Sequence, residues 1–193
     1  MKVIKTTGVV GAGTMGAAIA QKFAQDGFKV ILADRSLEFI QKGLAGIRNT
    51  LEEGVKRNVF SESQVNEVMS RITGTADLMD LKRCDLVVEA IFEDFCAKEE
   101  LFNKLSFILS NDCIVATNTS SFSVTELSKS ITYKERFVGL HFFYHAAKNR
   151  LVEIIPGELT ALETLETVSQ FVSLVGKDPI ICKDVYGFAV NRF

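Results

Sequence analysis

Six residues, Gly11-Ala12-Gly13-Thr14-Met15-Gly16, follow directly on an apolar run ending in Val9-Val10 and precede a stretch of helical periodicity. No other feature restricts the fold as tightly. Glycines at G-x-G-x-x-G spacing between a strand and a helix are the fingerprint of a unit that sets a dinucleotide pyrophosphate against a helix N-terminus. Gly11 permits the tight turn out of the strand, Gly13 lets the backbone approach the pyrophosphate, and Gly16 allows close packing of helix on strand. The helix opening at Thr14 and Met15 directs its free N–H groups at the phosphates. Asp34 closes the next apolar strand, 18 residues after Gly16. There it is placed to accept hydrogen bonds from the adenosine ribose hydroxyls and to repel a 2′-phosphate. The expected cofactor is therefore NAD, a preference that the neighbouring Arg35 softens.

The remaining chain alternates. Strands are expected at residues 3–10, 29–33, 85–89, 113–117, 137–141, 152–155 and 178–182, and helices at 15–26, 97–109, 123–130 and 161–175. Between the second and third of these strands, residues 36–71 carry two helices, the first marked by Ile40, Leu44, Ile47 and Leu51 and the second opened by a Ser61/Gln64 capping box. They read as a helical hairpin projecting from the sheet, an insertion over about 36–72. Such alternation, with only two prolines, predicts an α/β fold: a doubly wound, mostly parallel, Rossmann-type sheet. A chain of 193 residues buries roughly 70% of its extended surface and needs no disulfide staples.

Composition narrows the partners. A net charge of −2 gives no electrostatic case for nucleic acid or an anionic membrane. No apolar run approaches the ~20 residues of a membrane span, and no leader precedes the first strand. Cys84, Cys96, Cys113 and Cys182 are far apart, and with two histidines in the chain no metal site is expected. Reduced, buried thiols point to a cytoplasmic protein.

A second constellation concerns chemistry. His141 closes an apolar strand at the sheet edge where open α/β folds bind ligands. Glu153 is the sole ionisable residue inside the next strand, and a buried carboxylate there requires a partner. His141 is the natural one, and the pairing would fix its tautomer for general acid/base work. His145, in the irregular stretch that follows, reads as a surface residue.

These segments together resemble the L-3-hydroxyacyl-CoA dehydrogenase family, which includes the 3-hydroxybutyryl-CoA dehydrogenases. The resemblance is carried by GAGTMG at 11–16, VVEAIFED at 87–94, ATNTSS at 116–121, GLHFF at 139–143, LVEII at 151–155 and GFAVNR at 187–192. It implies oxidation of an L-3-hydroxyacyl-CoA to the 3-ketoacyl-CoA with NAD, or the reverse. It implies that His141 is the general acid/base and Glu153 its orienting partner, with Ser120 and Asn191 placing the substrate oxygen and supporting the histidine. Glu93, Lys98 and Ser120 then match positions at the nicotinamide half of the cofactor. Thr50 and Arg57, on the helical hairpin, match positions that grip coenzyme A. The family usually has Asn-Pro where this chain has Tyr144-His145, without a change in the His141-to-Glu153 spacing.

The resemblance also implies that residues 1–184 form the NAD-binding domain and 185–193 the stub of an absent C-terminal helical domain. That domain would complete the substrate cleft and make the full-length parent a homodimer, so activity of this chain alone should be low. Two other readings stay open: a non-catalytic NAD-binding module, and an NAD-dependent hydroxyacid dehydrogenase that does not use CoA thioesters.

Overall fold

The computed structural model describes residues 2–190. The fingerprint region builds as its pattern dictates: β1 (Thr6–Val10), α1 (Thr14–Gln25) and β2 (Lys29–Ala33) form one parallel crossover unit. Gly27, at φ +92°, ends the helical segment, as a glycine after the last turn does. The next crossover is α2 (Leu37–Lys56) and α3 (Glu62–Ser70), whose N-caps are Ser36 and the Ser61/Gln64 capping box. It leads into a strand not expected from the sequence, β3 (Ile72–Thr75), which pairs in parallel with β2. The helical pair is thus the β2-to-β3 connection. Its inner face (Ile47, Leu51, Val65, Val68) joins the same core cluster as α1.

After a 3₁₀ segment the chain returns across β1 with β4 (Leu86–Glu89), α4 (Phe95–Ile108), β5 (Ile114–Thr117), α5 (Val124–Leu127) and β6 (Phe137–Phe142). Then follow β7 (Leu151–Pro156), α6 (Leu162–Leu174) and β8 (Asp178–Ile181). The eight-stranded order is β3-β2-β1-β4-β5-β6-β7-β8. β7 runs antiparallel to β6, and β8 parallel to β7. The eight residues 143–150 contain no helix, so they form a turn back where a parallel return would need a longer crossover. This reversal sets His141 directly opposite Glu153 in the ladder.

Helices cover both faces. On one, Phe23 of α1 packs edge-on against Phe142 and Phe171, with ring centroids 5.9 and 5.0 Å apart. On the other, Phe102 of α4 packs on Phe137 at 4.9 Å. β1 and β4 are neighbours whose crossovers leave in opposite directions, and such a switch point opens a crevice at the carboxyl ends of the strands. No described helix is long and apolar enough to cross a membrane.

Candidate active site

The crevice begins at the glycine loop. Gly11 has φ +107°, and a Cβ on it would lie 2.5 Å from the Ala90 carbonyl oxygen of the loop after β4. A Cβ on Gly16 would lie 1.8 Å from the Gly11 carbonyl oxygen, so α1 rests directly on the turn. Gly13 differs. It is the N-cap of α1, with extended backbone and no side-chain cap, and a Cβ there would meet nothing within 4 Å. A helix N-terminus with bare N–H groups facing open space is what a pyrophosphate requires. The space is a cavity of about 880 Å³, walled by the loop, Asp34, Arg35, the inner edge of α2 and the segment after β4. Met15 and Gly16 act from behind this wall, Met15 by packing against the core.

Asp34 is held in place by backbone. Its Oδ2 accepts from Ala12 N and its Oδ1 from Arg35 N, each at 2.7 Å. Each oxygen keeps capacity for another donor, such as a ribose hydroxyl. The loop, the helix end and this carboxylate together fit an adenine dinucleotide.

At the ends of β4 and β5 lies a buried ionic cluster. Lys98 of α4 is only 1% exposed, and its Nζ donates to Glu89 Oε1 at 2.5 Å and lies 3.2 Å from Glu93 Oε2. Glu89, fully buried at the end of β4, also accepts from Ile91 N at 2.8 Å and Thr117 Oγ1 at 2.7 Å. Glu93 gathers the loop after β5: its Oε1 accepts from the Thr119 hydroxyl, from Ser121 Oγ at 2.9 Å and from Ser120 N at 3.1 Å. Burial pushes the Glu93 carboxyl up, but Thr119, Lys98 and Ser121 outweigh that and hold it below the usual carboxylate range. Lys98 therefore acts through the two glutamates, while Ser120 is left exposed with its amide fixed. Glu89 did not emerge from the sequence, although it is an ionisable residue inside an apolar strand, the signal that singled out Glu153.

The histidine–glutamate pair forms as the ladder register demands. His141 Nδ1 lies 2.6 Å from Glu153 Oε2, with the two residues 5% and 0% exposed. The other oxygen, Oε1, accepts from Ala189 N and Val190 N, each at 2.9 Å, and faces Cys182 Sγ at 3.7 Å. Burial pushes the Glu153 carboxyl up, yet His141 and the two backbone N–H groups more than offset it and keep it ionised well into acid. Burial, with Glu153 alongside, pushes the Cys182 thiol up to about 11, so it stays a neutral donor. With the proton on Nδ1 facing the carboxylate, Nε2 is the nitrogen available for exchange.

Two other placements depart from expectation. His145 is not a surface residue: it is half-buried and, with Tyr144, lines the cavity. The turn between β6 and β7 is drawn inward, and Lys177, itself buried, donates to Asn149 O at 2.5 Å. Burial, then Lys148 and Lys177, lowers the His145 pKa. The two residues expected at coenzyme A are not brought together either. Thr50 lines the dinucleotide cavity and donates to Gly46 O at 2.9 Å, whereas Arg57 stands exposed at the C-cap of α2, outside the cavity wall. Asn191 lies outside the described residues. His141, Glu153, Glu93, Lys98 and Ser120 are likewise outside the cavity wall, and Tyr144-His145 connects the two regions along the chain.

Residues 6–185 match the family described as 3-hydroxyacyl-CoA dehydrogenase, NAD binding domain. The chain is 39% identical over 190 residues to a 3-hydroxybutyryl-CoA dehydrogenase of Bradyrhizobium diazoefficiens, spanning 98% of this chain and 65% of that protein. It is 38% identical to the mitochondrial hydroxyacyl-coenzyme A dehydrogenase of Sus scrofa, again over 98% of this chain and 62% of that one. Among solved structures, an (S)-3-hydroxybutyryl-CoA dehydrogenase from Ralstonia eutropha superposes with a TM-score of 0.97 at 37% identity. The match covers 99% of this chain and 68% of that protein. The chain thus spans about two thirds of the length of the relatives it matches.

Proposed function

Since the chain belongs to the 3-hydroxyacyl-CoA dehydrogenase, NAD binding domain family, we propose that it serves the NAD-dependent interconversion of an L-3-hydroxyacyl-CoA and a 3-ketoacyl-CoA. The observation that carries this reading is the 2.6 Å contact between His141 Nδ1 and Glu153 Oε2 across the β6–β7 ladder, three residues along the chain from Tyr144 of the cavity wall. When bound, NAD supplies the acceptor for the substrate hydride. The chain supplies the proton chemistry. With Nδ1–H donated to Glu153, the Nε2 lone pair of His141 takes the hydroxyl proton in oxidation, and Nε2–H returns it in reduction. Glu153 stabilises the imidazolium that forms and, held by two backbone N–H groups, does not move with it.

Ser120 offers a hydroxyl to the same substrate oxygen from a loop that Glu93 and Lys98 keep in place, and Asn191 is proposed to assist. Gly11, Gly13, Thr14 and Asp34 hold the adenosine diphosphate half of the cofactor. Arg57, on the exposed tip between α2 and α3, is the proposed contact for coenzyme A phosphates.

The test is consumption of NADH with acetoacetyl-CoA. His141→Ala should lower the rate by roughly 10²–10⁴-fold while leaving the Kd for NADH unchanged. An unchanged rate in His141→Ala would sink the catalytic assignment. Faster turnover of free acetoacetate than of its CoA ester would replace the thioester with a free hydroxyacid as the substrate class.

A further inference from the structure

Residues 182–190 run from the end of β8 to the histidine–glutamate pair, and both ends of this run are tied to β7. At the start, Cys182 N donates to Ile154 O at 2.9 Å. At the finish, Ala189 N and Val190 N donate to Glu153 Oε1, and the buried Phe188 ring lies 5.7 Å from the His141 imidazole, centroid to centroid. The backbone leading there is not one that a chain adopts unaided: Gly187 has φ +74° and Phe188, which is not a glycine, has φ +48°. Such a conformation persists only where its surroundings impose it. Here the polar part of that restraint falls to Asp184. Its Oδ1 accepts from Val124 N at 2.9 Å, and its Oδ2 accepts from Ser123 Oγ at 2.9 Å and from Thr125 N at 2.8 Å. Among the described residues, these three are the only hydrogen bonds that tie residues 183–188 to the rest of the fold.

The same three donors close the loop after β5, the loop that carries Ser120. Glu93 holds the front of that loop through Ser120 N and Ser121 Oγ, and Asp184 holds its rear. One carboxylate therefore joins the loop of Ser120 to the run that packs on His141 and binds Glu153. Asp184 is not part of the dinucleotide cavity wall, so these contacts are its route to the reaction. We propose that Asp184 is a positioning residue, fixing the Ser120 hydroxyl and His141 Nε2 at the separation that one substrate oxygen requires. The proposal rests on the function proposed above. Two groups aimed at a single reacting atom are sensitive to geometry, and a displacement of about 1 Å costs up to roughly 100-fold in rate. Contacts that tighten only in the transition state are lost from kcat and not from KM.

The experiment compares the parent chain with Asp184→Ala and Asp184→Asn, each assayed well below its Tm for NADH consumption with acetoacetyl-CoA. Asp184→Ala should lower kcat by about 10- to 100-fold, with KM for acetoacetyl-CoA and the Kd for NADH within about twofold of the parent. Asp184→Asn keeps one acceptor oxygen, which can serve two of the three donors, and should fall between the two. If Asp184→Ala does not fold, a kcat fall of about two- to tenfold in Asp184→Asn is the expected result, and an unchanged kcat there overturns the proposal. A lower Tm in Asp184→Ala with kcat within about twofold of the parent would reduce Asp184 to a structural cap and overturn it as well. So would a raised KM with kcat unchanged. His141→Ala separates the two readings: a normal loss in that variant beside an unaffected Asp184→Ala sinks only the positioning role, whereas an unaffected His141→Ala sinks both. Where turnover is too slow to resolve a tenfold fall, NMR decides. The amides of 189 and 190 and the His141 ring Nδ1 proton should exchange faster in Asp184→Ala, and equal exchange overturns the proposal.

Discussion

The three glycines of the fingerprint look alike in the sequence and differ sharply in the fold. At Gly16 an added methyl carbon would sit 1.8 Å from the Gly11 carbonyl, a contact with backbone that no side-chain motion relieves. At Gly13 it would enter open space on extended backbone that any residue adopts. Gly16→Ala should therefore lower both stability and cofactor binding. Gly13→Ala should weaken NADH binding but shift Tm by less than about 2 °C, less than 1 kcal/mol in a chain of this size. Thermal melts with and without NADH separate the two. A large loss of Tm in Gly13→Ala would show that the space is structural and not a ligand cradle. A second residue-scale contrast is Glu153 against Glu89. Both are fully buried carboxylates in apolar strands, but Glu153 faces a histidine across a ladder and Glu89 faces a lysine from a helix. Burial was legible for both. The partner was legible only for Glu153, because strand neighbours follow from register while a helix-borne partner depends on how α4 packs.

At the scale of elements, strong periodicity was readable and close packing was not. All seven strands expected from the sequence form, with ends moved by up to three residues. The eighth, β3, was missed because Ile72-Thr73-Gly74-Thr75 is four residues long and carries an interior glycine, which weakens a strand pattern. Gly74 is there for contact: a Cβ would lie 2.3 Å from Ile40 Cγ2 of α2. The antiparallel β6–β7 pair could have been derived, since eight residues without a helix cannot return a strand in parallel.

The cluster of Lys98, Glu89 and Glu93 joins α4 to β4 and to the loop after β5, and its removal tests whether it is a clamp. Lys98→Met strands Glu89 without its cation and should cost about 3–5 kcal/mol. Adding Glu89→Gln to that variant should recover part of the loss, since the amide oxygen can still accept from Thr117 or Ile91. A double-mutant cycle in urea gives the coupling, and strict additivity would show that the pair contributes nothing jointly.

For the whole molecule, the shifted titrations all act in one direction on the acid side. Glu93 and Glu153 are held below the ordinary carboxylate range once their hydrogen bonds outweigh burial. The stability they confer is complete above the unfolded value of about 4.3 and is lost as pH falls through their folded values. His145 is lowered as well, by burial first and then by Lys148 and Lys177. Its contribution is likewise present above the unfolded value of about 6.5 and declines below it, because the unfolded chain binds the proton more readily.

Acid should therefore weaken the fold in two windows, a shallow one opening below about pH 6.5 and a steeper one below about pH 4.3. Urea midpoints measured from pH 3.5 to 8 should show both. His145→Gln should remove the upper window and leave the lower, while Glu153→Gln should flatten the lower. Glu153→Ala, which removes both acceptor oxygens, should also free residues 189–190, which the carboxylate holds by two N–H bonds, so their amides should exchange faster than in the parent chain. If His145→Gln left the upper window intact, His145 would not be its source, and the inward placement of the 143–150 turn would have no bearing on stability.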